Sequence, residues 1–349
     1  MPKKQKSKRP SALGLCLFVL FDLALIVIGF MMIARQGEQI PAGTAVVSSV
    51  TTTATTTTTT TTDPYPHVSY AEKTTYTVAL SEEEMLCSHA ILVDYESNKI
   101  LAQRASDEII YPASMTKVMT LIVALESDCE MDDTFTMTAD IIAPLLEAHA
   151  SRAGFLPDEV VSFRDLLYGT ALPSGADATT ALAQMIAGSE DQFVNLMNMK
   201  ARQIGMKHTH FMNASGLHDE NHYSTMEDIA LMMAYAVQLD ECRNIMSTQK
   251  YITAATPQNP AGIELHNTMF MRMYGNEAKG VRILGGKTGY TDAAQNCLAS
   301  FAEKDGKLYI AVCAGGVGKW HAVYDTITLY DNFIDYKIGD PITPFTGLK

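Results

Sequence analysis

Leu284-Gly-Gly-Lys-Thr-Gly-Tyr-Thr291, then Asn296–Glu303, then Lys307–Ala314, with Asp305-Gly306 between the last two, is the stretch on which the fold turns. Asp-Gly between two apolar runs predicts a tight hairpin. With 284–291 ahead of it, the reading is three antiparallel strands in succession. Toward the N-terminus, Ala90–Asp94 and Ile100–Gln103 flank the turn Glu96-Ser-Asn-Lys99 and predict a second hairpin. From Met131 to about Met273 the pattern is helical: Phe163–Thr170, Ala176–Ala187, Asp191–Ile204 closed by Gly205, and Thr225–Gln238. Thr225 is the expected N-cap of the last, with Asp228 three residues on. Asp325–Phe333 predicts a closing helix. Hairpin, long helical insertion, antiparallel strands and terminal helix make an α+β fold. A mostly antiparallel sheet is flanked by helices, with a helical subdomain.

Ahead of this folded part, Ala12–Ile33 is apolar apart from Asp22, long enough to cross a hydrocarbon core. Lys3, Lys4, Lys6, Lys8 and Arg9 precede it. Met31-Met-Ile-Ala-Arg35 is not a small-x-small cleavage site. The expectation is a basic cytoplasmic tail at 1–11 and a single-pass anchor at 12–34, with the rest outside the cell membrane. Threonine runs at 51–53 and 55–62 predict a disordered linker over 35–82, and a folded domain over 83–349. The net charge is -13 despite the basic N-terminus, so the folded part is acidic and nucleic acid is excluded as a partner. Six cysteines without regular spacing, and no Cys-x-x-Cys, give neither a disulfide framework nor a zinc ribbon.

Three short motifs stand in order on the folded part: Ser114-Met-Thr-Lys117, Ser174-Gly-Ala176 and Lys287-Thr-Gly289. Pro112-Ala113 places Ser114 at a helix start, and Lys117 lies one turn on along the same face. A serine hydroxyl is a weak nucleophile that needs a base beside it. A buried lysine serves once desolvation lowers its pKa. A second hydroxyl and a strand bearing Lys-Thr-Gly complete a signature for acyl transfer.

The residues around these motifs extend the match. Tyr111-Pro-Ala-Ser-Met-Thr-Lys117, Asp165-Leu-Leu-Tyr168 leading to Leu172-Pro-Ser-Gly175, Asn213-Ala-Ser-Gly-Leu-His218, His222-Tyr-Ser-Thr225 and Gly286-Lys-Thr-Gly-Tyr-Thr291 resemble the serine D-alanyl-D-alanine carboxypeptidases, the low-molecular-weight penicillin-binding proteins. The resemblance spans about 83–340. It implies the fold shared by serine β-lactamases and DD-peptidases, and trimming of the terminal D-Ala from peptidoglycan stem peptides through an acyl-enzyme. It implies Ser114 as nucleophile, Lys117 as base and Ser174 as proton shuttle. Lys287, Thr288, Gly289 and Tyr290 would bind substrate, with the Ser114 and Tyr290 N–H groups as oxyanion hole. It further implies β-lactam antibiotics as covalent inhibitors, and neither metal nor organic cofactor.

Two departures from the family pattern stand out. Ala176 occupies the place of an asparagine in the second motif. The arginine that often follows the last strands to bind the substrate carboxylate has no counterpart, Lys319 and His321 being the nearby basic residues. The chain ends at Lys349, so the N-terminal helix is expected to replace the C-terminal anchor of many relatives. Three rival readings follow. A serine β-lactamase would need a glutamate to activate water, with Glu147 and Glu159 as candidates. A receptor-like domain would be acylated without turnover. A zinc peptidase would draw on His208, His210, His218 and His222, but no His-Glu-x-x-His helix exists.

Overall fold

The computed structural model describes residues 65–347. The basic tail, the segment expected to cross the membrane and the linker up to residue 64 lie outside them. Among the described residues no helix is long and apolar enough to cross a membrane.

The sheet begins earlier than the sequence pattern predicts. Glu72–Ala79 was expected inside the linker, yet it forms β1, which pairs in parallel with a strand of the first hairpin. It is a half-exposed edge strand of mixed polarity, so it carries no apolar alternation to announce it. The hairpin follows as β2 (His89–Asp94) and β3 (Lys99–Arg104). A 3₁₀ turn, Ala113–Thr116, then leads into α1 (Lys117–Leu125). The helical region runs from there to residue 273. It holds α2 (Ala139–Glu147), α3 (Phe163–Ala171), α4 (Ala176–Ala187), α5 (Glu190–Ile204), α6 (Met226–Ala236), α7 (Asp240–Ser247) and α8 (Thr268–Met273). Two short ribbons interrupt it, β4 (Thr134–Thr136) with β5 (Val160–Ser162), and β6 (Lys250–Ile252) with β7 (Glu264–His266). The chain closes with β8 (Arg282–Thr291), β9 (Gln295–Lys304), β10 (Lys307–Gly316) and α9 (His321–Phe333).

The six-stranded sheet has the order β1-β3-β2-β10-β9-β8 and is antiparallel except at β1. Its side chains alternate between two cores. Ile310 stands between Val93 and Phe301, and all three face the helical region. The next residue, Ala311, faces α9 with Leu92, Ile327 and Tyr330. Burial on both faces explains why β9 and β10 read as near-continuous apolar runs. The closing helix starts four residues before the expected Asp325. That residue is no terminus: it is buried, and its carboxylate accepts from the backbone N–H groups of Leu86 (3.1 Å) and Cys87 (2.5 Å). Thr225 caps α6 as expected, accepting from Asp228 N at 3.1 Å.

Candidate active site

A cleft of about 540 Å³ opens where the 3₁₀ turn, β8, α8, the Ser174 turn and the 215–217 loop meet. Ser114, Lys117, Ser174, Thr288, Gly289 and Tyr290 all line it. Lys287 is fully buried on the same strand. The structure thus brings all three motifs together. A larger cavity, about 820 Å³, lies around Phe270, Tyr274 and Arg282 at the other end of β8. It gathers no hydroxyl or thiol beside a base, whereas the smaller cleft holds Ser114 against Lys117.

Lys117 Nζ lies 3.1 Å from Ser114 Oγ and 2.6 Å from the carbonyl oxygen of Ser215. The 3₁₀ turn running into α1 is what stacks the two side chains. Lys117 is 2% exposed, and burial pushes its pKa down to about 7 against the opposing pull of Asp177 and Glu190. Neither carboxylate bonds the amine. Asp177 accepts instead from Ala153 N, Gly154 N and Ala178 N, and Glu190 from Ala214 N. An ordinary lysine is almost wholly protonated at pH 7; this one gives up its proton far more readily.

Ser174 has φ +65°, and its buried hydroxyl has no hydrogen-bond partner among the described residues. Ser174 lines the cleft, so this hydroxyl can meet a group that enters there. Ala176 opens α4 and donates its N–H to Ser151 O at 2.7 Å. Lys287 donates to Thr288 O at 2.9 Å, and its pKa is pushed well down by burial, then by the charges of Lys117 and Arg272. Thr288 Oγ1 bonds Thr268 Oγ1 at 2.7 Å, tying α8 to the third motif.

Close approach explains two glycines. A Cβ on Gly289 would stand 3.0 Å from Ser114 N, so glycine lets β8 run directly against the Ser114 N–H. A Cβ on Gly216, at φ +81°, would stand 1.9 Å from the Ala113 oxygen. Tyr290 is 52% exposed at the rim, its hydroxyl donating to Asp292 at 2.8 Å.

The histidines are engaged separately. His222 is buried, accepts from Met212 N on Nδ1 and meets Thr116 Oγ1 on Nε2 at 2.8 Å. Burial lowers its pKa to about 4. His210 meets Asn221 O, and His218 packs edge-on to Tyr111. Neither glutamate considered for a β-lactamase lines the cleft: Glu159 is buried on Thr256, Asn259 and Leu156 N, and Glu147 ends α2.

Neither basic residue considered after the last strands reaches the cleft. Lys319 lies over the Trp320 ring, and His321 accepts from Gly318 N. Neither lines the cleft, and Arg272 of α8 does. It sits one turn beyond Thr268, on the face that meets Thr288, with no carboxylate partner among the described residues. The Thr268–Arg272 spacing puts both on one helix face, but only the fold shows that this face meets Thr288. The Ser215 carbonyl is a backbone group, and no sequence pattern announces it.

The family model that describes D-alanyl-D-alanine carboxypeptidases, peptidase S11, matches residues 76–317. The chain is 34% identical over 232 residues to the D-alanyl-D-alanine carboxypeptidase DacF of Bacillus subtilis, covering 65% of this chain and 56% of that one. It is 41% identical over 150 residues to DacC of Escherichia coli, covering 41% of this chain and 37% of that one. The chain therefore spans about half the length, or less, of these curated relatives. Among solved structures, a Streptomyces DD-transpeptidase superposes with a TM-score of 0.64 at 25% identity, over 71% of this chain and 97% of its own. The carboxypeptidase DacD of Francisella tularensis superposes with a TM-score of 0.61 at 26% identity, over 70% and 69%. The fold is that of the DD-peptidases, and with a family match that reaches from β1 to the end of β10, the chain belongs to the peptidase S11 family of D-alanyl-D-alanine carboxypeptidases.

Proposed function

We propose that this protein is a serine carboxypeptidase that removes the terminal D-Ala from D-Ala-D-Ala stem peptides of peptidoglycan. The observation that carries this reading is the 3.1 Å contact between Ser114 Oγ and the buried amine of Lys117. Neutral Lys117 takes the Ser114 proton as Oγ attacks the penultimate D-Ala carbonyl. The oxyanion faces the Ser114 and Tyr290 N–H groups. Ser174 relays the proton to the leaving amine, free D-Ala departs, and water then cleaves the ester on Ser114. The substrate carboxylate meets Thr288, Lys287 and Arg272, of which arginine stays charged at any ordinary pH. β-Lactams, as strained amides that carry an anionic group, enter the same site and acylate Ser114.

The remaining parts of the reading rest on sequence. The apolar run at 12–34 anchors the chain, the basic residues before it keep the tail in the cytoplasm, and the catalytic domain faces the wall. The test of function is release of D-Ala from a D-Ala-D-Ala peptide, run beside the same peptide with its C-terminus amidated. Release from the acid alone, with the preference lost in Arg272→Ala, supports the reading. No release by a protein that β-lactam still acylates would mean a receptor and not a peptidase. Fractionation of cells, with protease added from outside, tests the anchor.

A further inference from the structure

The loop at 212–217 lies beneath the nucleophile, and its backbone is tied on every side. Met212 N donates to His222 at 3.2 Å, Ala214 N to Glu190 at 3.0 Å, and Thr120 Oγ1 to Ala214 O at 2.6 Å. The rest converges on one side chain. Asn213 Oδ1 accepts from the N–H groups of Ser215 (3.2 Å), Gly216 (2.7 Å) and Leu217 (3.1 Å), and from the Ser215 hydroxyl (3.2 Å). Its Nδ2 donates to Leu217 O at 2.9 Å. A simple turn formed by an asparagine side chain needs only its own backbone two residues on. Gathering three successive N–H groups does more: it turns the Ser215 carbonyl the other way, onto Lys117 Nζ. Glycine at 216 lets the loop run directly against Ala113 of the 3₁₀ turn.

That carbonyl has a chemical task. A neutral amine has two hydrogens and one lone pair. Donating a hydrogen to Ser215 O aims the lone pair at Ser114 Oγ. After proton transfer the same oxygen faces an ammonium and stabilises it. A side-chain amide at position 176 could do this work, but Ala176 has none.

We propose that Asn213 is a positioning residue for the acylation base: it holds the Ser215 carbonyl on Lys117 and so supplies, from the loop, the acceptor that Ala176 does not. This rests on the reading of Ser114 and Lys117 given above. The charged and titratable groups facing Lys117 are Asp177 from α4, Glu190 from α5, Lys287 from β8 and His222 beside the loop.

The experiment measures the rate of β-lactam acylation against pH for the unmutated protein, Asn213→Ala and Asn213→Asp, each with Ala176 and with Ala176→Asn, alongside melting temperatures. Asn213→Ala should lose tenfold or more in rate. Its acid limb should move to lower pH, because the ammonium has lost a partner. The loss should shrink at least threefold in the Ala176→Asn background. Asn213→Asp keeps the acceptor and adds a negative charge, so it should retain most of the rate with its acid limb moved up. Equal losses in both backgrounds, or an unmoved acid limb in a folded Asn213→Ala protein, would show that Asn213 merely closes the loop. If Asn213→Ala does not fold, an unmoved acid limb in Asn213→Asp overturns the proposal instead. No adduct on the unmutated protein would overturn the reading of Ser114 itself, and this proposal with it.

Discussion

Lys287 brings its amine into the same buried region as Lys117, and its pKa falls well below the usual lysine range, first through burial and then through the charge of Lys117. No carboxylate forms an ion pair with either amine among the described residues. Burial therefore disfavours the charged form of both amines, and a carboxylate entering beside them would favour it. Lys287→Met should leave the melting temperature unchanged or raise it, since an apolar side chain of similar length replaces a desolvated amine. Turnover of a D-Ala-D-Ala peptide should fall at least tenfold. Calorimetry and steady-state kinetics on the same sample check both halves.

Lys117→Ala should abolish acylation while the domain stays folded. Lys117→Arg should fail nearly as badly, because a guanidinium does not give up its proton at ordinary pH. Acylation rates with circular dichroism as the folding control decide this. An arginine variant with most of the activity would remove lysine from the role of base.

The pH dependence of acylation follows from the same amine. With its pKa lowered to about 7, Lys117 is protonated and inactive below that value, so the rate should fall about tenfold per pH unit on the acid side. Glu190 raises this pKa through its charge. Glu190→Gln keeps an acceptor for Ala214 N and removes the charge. The acid limb should therefore shift downward, and the rate at mildly acid pH should rise several-fold. Stopped-flow acylation across neutral pH reads the shift.

His222 sets a limit on stability in acid. Its folded pKa is lowered to about 4, mainly by burial, while the unfolded chain has the ordinary value near 6.5. Between these values the unfolded chain binds the extra proton and the folded one does not. Stability is complete above the upper value and is lost as pH falls toward the lower one. The loss is on the order of 3 kcal/mol. Urea unfolding at a series of pH values should show this decline, flattened in His222→Gln.

Much of this was legible in the chain, for identifiable reasons. Asp305-Gly306 fixed the β9–β10 hairpin because few other residues turn so tightly. Lys117 could be placed beside Ser114 because three residues are nearly one helical turn. Strand β1 was hidden because edge pairing is a backbone property and its side chains are half exposed. Arg272 was hidden because α8 is short and its role depends on the Thr268–Thr288 contact, twenty residues apart in sequence. The Ser215 carbonyl was hidden because every residue has one, and only the loop decides where it points.

The most direct measurement of the central claim is peptide mapping by mass spectrometry after the domain is mixed with penicillin. The account predicts one covalent adduct, on the peptide that carries Ser114, and none in Ser114→Ala. An adduct on another residue, or no adduct on a protein that still releases D-Ala from a D-Ala-D-Ala peptide, would contradict it.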